Sequence, residues 1–527
     1  MKRFQDGSLR EGGWVSVTGI SWAECFSILA ARFESRVAVV DAVGSLSYSS
    51  LFRKAASLAN VLIESGVRPG EPVATFLRNG IPAVWASYGV TLSGAAETAL
   101  NPGLGTADRE HCLTLCKARY VVTTGSQAEL FRALDVVVHC VEEVGETALE
   151  PSRFPRVPLE TWGKILFTSG TTGLAKGVVY DQGGRWLSNL LLRAALPVTP
   201  RAEGRLLLMT PFSHGASLMT YAYLDHGASV CLLDGADPSV VLPMIERGEI
   251  DEMFAPPTVL TKIVAAAGER RYPGLKTVFC GTAVLSPLLY ARARKIFGPV
   301  VRVTYGKSEV FNPITVLEAS ETDAWYREGG ANADACVGWP ATGVEIGVRG
   351  DDSAESPRGE LGEVHLRARH MMSGYLRSDG YAPMKPDEFH ATGDLGYVDV
   401  RGRLHLVGRS ADVIKTGGYK VAPEEVERAL AAAVHPGEAV AVGIPSEYWG
   451  EVIVVAVERG PEGWQGEADK VARKMTGYKR PRAYVAIDAL PRNAMAKVQR
   501  SVIRDYVLRR YRLADGPHPR LEPREHD

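Results

Sequence analysis

From Trp22 to about Arg119 apolar residues recur alternately at helical and at strand spacing. SYSSLFRKAASLANVLIESGV reads as a capped amphipathic helix ending near Gly66, EPVATFL as a short buried strand, and IPAVWASYGVTLSGAAETAL as another helix. YVVTT and LDVVVHC continue the series as strands. A second run of strands, with helical segments between, extends from RLLLMTPF through SVCLLD, IDEMFAPP and KTVFCGTA to VVRVTYG. Short apolar strands separated by helices imply an α/β fold with largely parallel sheets covered on both faces. After about Ala333 the pattern changes to strands and turns: VEIGVRG, LGEVHLRAR, GYVDVRGRLHLVG. A compact final segment follows Gly408, with PEEVERALAAA as a strong helix and AVAVGI and VIVVAVE as strands. The tail LADGPHPRLEPREHD is polar and proline-containing, so residues 513–527 are expected to be disordered.

Composition narrows the class. A chain of 527 residues accommodates two to four domains, and 46% apolar with 23% charged residues is ordinary for globular proteins. A net charge of -1 without blocks of like charge argues against nucleic acid as a partner, since phosphate neutralisation needs concentrated Lys and Arg. The N-terminal MKRFQDGSLREGGW has no apolar signal core behind it, and no stretch approaches the roughly eighteen apolar residues of a membrane span. A cytoplasmic enzyme with no integral membrane segment is expected. The seven scattered cysteines fit reduced thiols. His111, Cys112 and Cys116 are the sole cluster suggestive of zinc, but no second Cys/His pair follows and helix packing explains them better.

The chemistry concentrates in five segments. SGTTGLAKG, Ser169 to Gly177, combines three hydroxyls, three glycines and a lysine between apolar stretches, a composition suited to wrapping phosphate. It is not the common P-loop, because Lys176 stands three residues after Gly173 and is followed by Gly177. YGKSE, Tyr305 to Glu309, offers an aromatic plane beside a carboxylate that could hold Mg²⁺. TGDLGYVD contains Asp394, able to accept from both hydroxyls of a ribose. GRSADVIKTGGYKVAPEEVE places Arg409 and Lys415 around glycines, and PRNAMAKVQR sets Lys497 in a small-residue turn.

In this order and spacing the segments resemble the AMP-forming acyl-CoA ligases, part of the adenylate-forming superfamily with 4-coumarate:CoA ligase-like enzymes, luciferases and peptide-synthetase adenylation domains. The resemblance spans nearly the whole chain. It implies a large N-terminal domain over 1–409, of αβα-layered sheets plus a β-barrel-like subdomain, and a small mobile α+β domain over 410–512 carrying Lys497. It implies a carboxylate that attacks the α-phosphate of ATP, then a thiol, usually of coenzyme A, that displaces AMP; ATP, Mg²⁺ and coenzyme A are the expected cofactors. By the same resemblance Thr168, Ser169, Gly170, Thr171, Thr172, Gly173 and Lys176 hold the outer phosphates, and Thr171 with Glu309 positions Mg²⁺. Tyr305, flanked by Thr304 and Gly306, stacks on adenine opposite Gly281, Thr282 and Ala283. Ser308 touches the α-phosphate, and Asp394 and Arg409 grip the ribose. Lys497 bridges the substrate carboxylate and the α-phosphate, His214 stands at the mouth of the acyl pocket, and the loop with Lys415, Gly417 and Gly418 serves the thiol step.

The chain departs from the family pattern at Ala175, Trp339, Ala411 and Ala496, of which Ala411, at the expected hinge, puts the thiol step in question. Gly215 and Ala216 leave room beside the reacting carboxylate and favour a bulky aryl, alicyclic or medium-chain acid, with Phe311 as the pocket floor. The expected partners are this small acid and CoA. A carrier protein or separate thiol-transfer enzyme is the alternative acceptor, and a homodimer stays open. A regulatory protein that keeps the pocket without turnover is disfavoured by the presence of Lys497, Glu309 and Asp394. A luciferase-like oxygenase would share every motif.

Overall fold

The computed structural model describes residues 19–169, 175–196, 204–330, 333–350, 353–385, 387–493 and 497–524. Two large sheets carry the first part of the chain. In one, Trp162–Ser169, Ala96–Ala99, Pro72–Phe76, Tyr120–Thr123 and Val137–Cys140 run parallel. Ala175–Asp181, Gly374–Arg377 and Gly380–Pro383 extend that sheet in antiparallel fashion. In the other, Val301–Val303, Thr277–Cys280, Glu252–Phe254, Arg205–Leu208, Ser229–Leu232 and Val37–Val40 are parallel, and Ser45–Ser47 closes the edge antiparallel.

The helix Tyr48–Glu64 forms where its periodicity predicts, capped by Ser47, whose hydroxyl accepts from the Ser50 N–H at 3.2 Å. Its neighbour Ile81–Leu92 is buried at every position from Ala83 to Leu92, as an apolar helix must be when it is covered all round. Gly89 lets the two approach, since a Cβ there would lie 3.0 Å from the Ala55 carbonyl oxygen.

The helix expected to run on to Leu100 stops at Leu92. Gly94, with φ of 80°, turns the chain, and Ala96–Ala99 enters the sheet as a strand. The reason is tertiary: Glu97 accepts from the Lys164 ammonium at 2.7 Å on the adjacent strand, both side chains fully buried.

A six-stranded sheet follows, in the order Thr315–Val316, Ala335–Pro340, Leu404–Arg409, His390–Val398, Gly362–Ala368, Val344–Arg349. Its pairing sets Asp394 opposite Arg409, and Tyr397 opposite His405. His405 is buried between Asp334 at 2.8 Å and Asp399 at 3.2 Å. Burial alone would push this imidazole down, but its bonds to Asp334 and Cys336 outweigh that and raise it to about 10.

The C-terminal unit packs Ile414–Thr416, Tyr419–Val421, Glu438–Ser446, Gly450–Glu458 and Ala483–Ile487 with the helices Pro423–Val434, Trp464–Ala472 and Arg500–Arg510, around its own core of Val426, Leu430, Ala441 and Val455. Arg500 binds Glu424 at 2.8 Å, Asp412 at 3.5 Å and Glu427, so the helix that follows Lys497 is held to this unit. The tail is a correction to the sequence reading. Tyr511–Ala514 pairs with Arg520–Pro523, Leu513 and Leu521 pack on the core around Val440 and Val452, and Asp515 accepts from the Ser446 hydroxyl and the Glu447 N–H, each at 2.6 Å. Two spaced leucines and one capping carboxylate order a segment whose average polarity suggests otherwise.

Cys112 and Cys116 are buried in an apolar cluster with Leu113 and Phe131, and burial raises the Cys112 thiol to about 12. Among the described residues no group of three or more His, Cys, Asp or Glu is arranged to hold a metal by itself, and no helix is long and apolar enough to cross a membrane.

Candidate active site

The site starts where Thr277–Cys280 and Val301–Val303 end, the carboxyl edge of a parallel sheet and the usual ligand-binding edge of such folds. Gly281 is required there, because any Cβ would collide with the Thr304 hydroxyl. Thr282 follows with φ of 70°, a left-handed conformation costly for a β-branched residue, and both it and Ala283 are exposed at the loop tip.

One strand further on, the YGKSE segment turns toward the six-stranded sheet. The Tyr305 hydroxyl donates to Asp394 Oδ2, and its ring is only 7% exposed. Lys307 Nζ donates to the Thr392 carbonyl at 2.7 Å and to Asp394 Oδ2 at 3.3 Å, while Arg409 Nη1 donates to Asp394 Oδ1 at 2.6 Å. Asp394 Oδ2 is thus taken by Tyr305 and Lys307, and Oδ1, with Arg409 on one side, keeps a lone pair for a ligand hydroxyl.

Glu309 lies beside this group, 9% exposed. Its Oε1 accepts from the Tyr375 hydroxyl at 3.0 Å and from Lys176 Nζ at 3.4 Å; Oε2 has no hydrogen-bond partner among the described residues. Burial pushes the carboxyl up, but Lys307 and Lys176 outweigh it and hold it below the usual range, so it is an anion. A buried ionised carboxylate with one uncommitted oxygen is a fitting donor for Mg²⁺. Lys176 itself sits 3.9 Å above the Tyr375 ring. The Ser308 carbonyl accepts from the Tyr180 hydroxyl at 2.7 Å. Phe311 stacks on Tyr180 with centroids 3.7 Å apart and is 2% exposed.

Lys497 reaches this place from the C-terminal unit. Its N–H donates to Asn493 Oδ1 at 3.0 Å and its carbonyl accepts from the Asn493 N–H at 2.9 Å, which fixes the turn. The residue as a whole keeps solvent contact, but its ammonium end is crowded. Burial lowers its affinity for the proton, Arg409 and Lys307 lower it further, and Asp394 and Glu309 act in the opposite sense. His214 leaves helical geometry within the turn Phe212–Ala216, with φ of -125° and ψ of -137°. Burial, then Lys164 and Lys497, lower its pKa to about 4, so it is neutral at pH 7. Beside it a Cβ on Gly215 would meet open space.

Other expected residues stand apart. Lys415, Gly417 and Gly418 occupy the hairpin of Ile414–Thr416 and Tyr419–Val421, where the Gly417 N–H donates to the Trp449 carbonyl at 2.8 Å. Among the described residues no hydrogen bond or ion pair joins them to the Asp394 group. Thr168 precedes the phosphate loop with its hydroxyl buried and, among the described residues, without a partner. Gly170, Thr171, Thr172 and Gly173 lie outside the described residues, as does Ala496, and of Ser169 only the backbone strand is described. Sequence reading passed over Lys307 and Tyr375. Lys307 stands inside YGKSE, where a cation between an aromatic and a carboxylate was a usable signal; Tyr375 had none.

The AMP-binding enzyme family model matches residues 26–376, and the AMP-binding enzyme C-terminal domain matches residues 425–497. The chain belongs to the AMP-binding enzyme family. Among curated members of this family it is similar to a feruloyl-CoA synthase of Amycolatopsis sp, 30% identical over 475 residues, 87% of this chain and 94% of the relative. It is also similar to a 2-succinylbenzoate–CoA ligase of Geobacillus sp. (strain WCH70), 28% identical over 90% of this chain and 95% of the relative. Among solved structures, the o-succinylbenzoate CoA synthetase of Bacillus subtilis in complex with its acyl-adenylate intermediate matches with a TM-score of 0.80 and 25% identity, over 91% of this chain and 98% of that one. An amide bond synthetase of Marinactinospora thermotolerans matches with a TM-score of 0.81 and 25% identity, over 92% and 99%. As an AMP-binding enzyme the chain is an AMP-forming acid:CoA ligase by its relatives.

Proposed function

We propose that the protein converts an aryl carboxylic acid to its acyl-adenylate with ATP and then to the CoA thioester, with roles for residues that follow from their placement. The observation that carries this reading is the charge gathered from both ends of the chain. Lys497, Arg409, Lys307 and Lys176 gather about Asp394 and Glu309, with Arg377 beside Lys176, which leaves a surplus of positive charge. Such a surplus in a partly desolvated place suits a polyanion and a second anion that must approach it.

In the first step a carboxylate oxygen attacks the α-phosphorus and pyrophosphate departs. Lys497, reaching across from the C-terminal unit, is positioned to neutralise the attacking carboxylate and the α-phosphoryl oxygen together. Lys176, released from Glu309, binds the departing phosphates. Glu309 and, by motif, Thr171 would hold Mg²⁺, which supplies charge neutralisation of the phosphates when bound. Asp394, held by Tyr305, Lys307 and Arg409, accepts from a ribose hydroxyl through Oδ1. Neutral His214 at the pocket mouth can accept a hydrogen bond without adding charge beside the acid. In the second step a thiolate attacks the acyl carbon and AMP leaves.

Transfer to a carrier-protein thiol differs only in acceptor, and the similarity to an amide bond synthetase keeps an acceptor other than CoA in the test. The experiment supplies ATP, Mg²⁺ and a panel of acids, and follows pyrophosphate, AMP and acyl-CoA separately. Acid-dependent pyrophosphate with stoichiometric acyl-CoA supports the proposal. Pyrophosphate without thioester, until carrier protein is added, moves the acceptor. No acid-dependent pyrophosphate with any acid refutes it.

A further inference from the structure

A cleft opens beside Thr304, where residues of the strands Glu252–Phe254, Thr277–Cys280 and Val301–Val303 face the helix Gln182–Ala195. Its walls are mostly apolar, Leu192, Phe254 and Phe279 among them, yet three polar side chains converge on it: Arg302, Asn312 and Thr315. Each has unmet hydrogen-bonding capacity. Among the described residues Asn312 Oδ1 and the buried Thr315 hydroxyl have no partner. Arg302 is 4% exposed, and among the described residues two of its five N–H groups are committed, Nε to the Leu317 carbonyl at 3.0 Å and Nη2 to the Ala195 carbonyl at 2.9 Å. Its one carboxylate contact among the described residues, Glu318, is 3.6 Å away and about half exposed. Nη1 has no partner among the described residues. Buried polar groups are normally satisfied, and a buried cation without close neutralisation is costly. A mostly apolar cleft with a few convergent polar groups is the usual form of a specific ligand site.

The geometry places these groups in sequence. Arg302 and Thr304 are two residues apart on one strand and so share a face, about 7 Å from each other. Thr304 borders the Tyr305 loop, so Arg302 lies deeper than the reacting centre. The carbonyl that fixes Arg302 belongs to Leu317, two residues beyond Thr315, which brings the arginine and the threonine hydroxyl to the same end. We propose that this cleft takes an aromatic acid whose far end carries an oxygen acceptor, read by Arg302 with Thr315, and that Arg302 determines acid specificity. The proposal rests on the acid-ligase reading above and adds the chemistry of the acid's distal end.

The test compares cinnamate, 4-hydroxycinnamate and 4-carboxycinnamate by pyrophosphate release, in the wild type and in Arg302→Met, Arg302→Lys and Thr315→Val. Wild type is expected to prefer at least one oxygenated acid over cinnamate by tenfold or more in kcat/KM; preference for the carboxy acid marks an anionic tail and preference for the hydroxy acid a neutral one. Arg302→Met should collapse that ratio toward one, chiefly through KM, with Arg302→Lys retaining part of it. Thr315→Val keeps the side-chain shape and should lower the ratio severalfold even if Arg302→Met does not fold. A wild type that favours cinnamate, or variants that lower all three acids equally, overturns the assignment. Turnover of aliphatic acids but none of these three overturns the substrate class and leaves the ligase intact. No turnover of any acid defeats the ligase reading itself.

Discussion

Replacing Lys497 with Ala removes one of the cations that set the surplus of positive charge at the site. One preorganised charge aimed at a transferring phosphoryl group is typically worth about 3 kcal/mol or more, which is a loss of roughly 100-fold in adenylation rate. Stability should hardly change. The residue keeps solvent contact, its turn is fixed by bonds from its own backbone to Asn493 that alanine retains, and substitutions of this kind usually stay within about 0.5 kcal/mol. The assay follows acid-dependent pyrophosphate release by stopped flow, alongside thiolysis of a supplied acyl-adenylate and thermal melting. Adenylation should fall while thiolysis and melting are nearly kept. The pH profile gives a second reading. Burial and the neighbouring Arg409 and Lys307 lower the proton affinity of Lys497, so without nucleotide its charge is lost at a lower pH than that of a free lysine. A saturating polyanion should move the alkaline limb of the rate upward. Adenylation at the wild-type rate by the alanine variant would refute the assignment.

Glu309→Gln should weaken the Mg²⁺ dependence as well as the rate, because a neutral amide is a poorer ligand for a hard cation; an unchanged Mg²⁺ titration would give Glu309 a structural role. Ala411→Pro should spare pyrophosphate release and block acyl-CoA release by fixing φ at the joint between the two units, and equal loss of both or of neither would sink that reading. His405→Gln should destabilise the fold by about 3 kcal/mol, since Asp334 and Asp399 lose a buried counter-charge. With a folded value of about 10, above the ordinary 6.5, the His405 contribution is full below about pH 6.5 and lost as pH rises toward 10; denaturation curves at pH 6.5 and 9.5 should converge for wild type and variant at the higher pH, and parallel differences would contradict this.

The helix Tyr48–Glu64 was readable because its apolar face alternates with polar positions and Ser47 marks its start. The strand Ala96–Ala99 was not, because AETA has no strand pattern and its Glu97 is accommodated by Lys164, 67 residues away, with Arg185 at 3.9 Å. Spacing conveys local periodicity and says nothing of such a partner. The same distinction holds at the site. Asp394, Arg409, Glu309 and Lys497 each stand in a motif with a composition of its own, so they could be named before the chain was folded. Arg302 and Thr315 lie in ordinary strands of two different sheets, and only the folded cleft brings them together with hydrogen-bonding capacity to spare. The hairpin at the tail was hidden for a third reason, since Leu513 and Leu521 find a core that average polarity does not reveal.

On the proposed reaction, Lys497 must leave the acyl-adenylate before a thiol arrives, and the ion pairs restrict where the chain can turn. Arg409 is bound to Asp394 of the six-stranded sheet at 2.6 Å. Three residues later Asp412 is bound to Arg500, which also holds Glu424 and Glu427 and therefore moves with the C-terminal unit. Between these anchors lie Ser410 and Ala411, both exposed. Around the joint the contacts between the units are thin: Arg428 to the Ala333 carbonyl at 3.4 Å, Arg292 to His435 at 3.3 Å, and Gly408, whose missing Cβ lets Glu424 approach. Hydrogen bonds of this kind contribute about 1 kcal/mol each, so a rotation about 410–411 gives up little and keeps every Arg500 ion pair. A polar side chain at 411 is then unnecessary for the motion itself, because the stiffness that defines the axis comes from Arg409 on one side and Asp412 on the other.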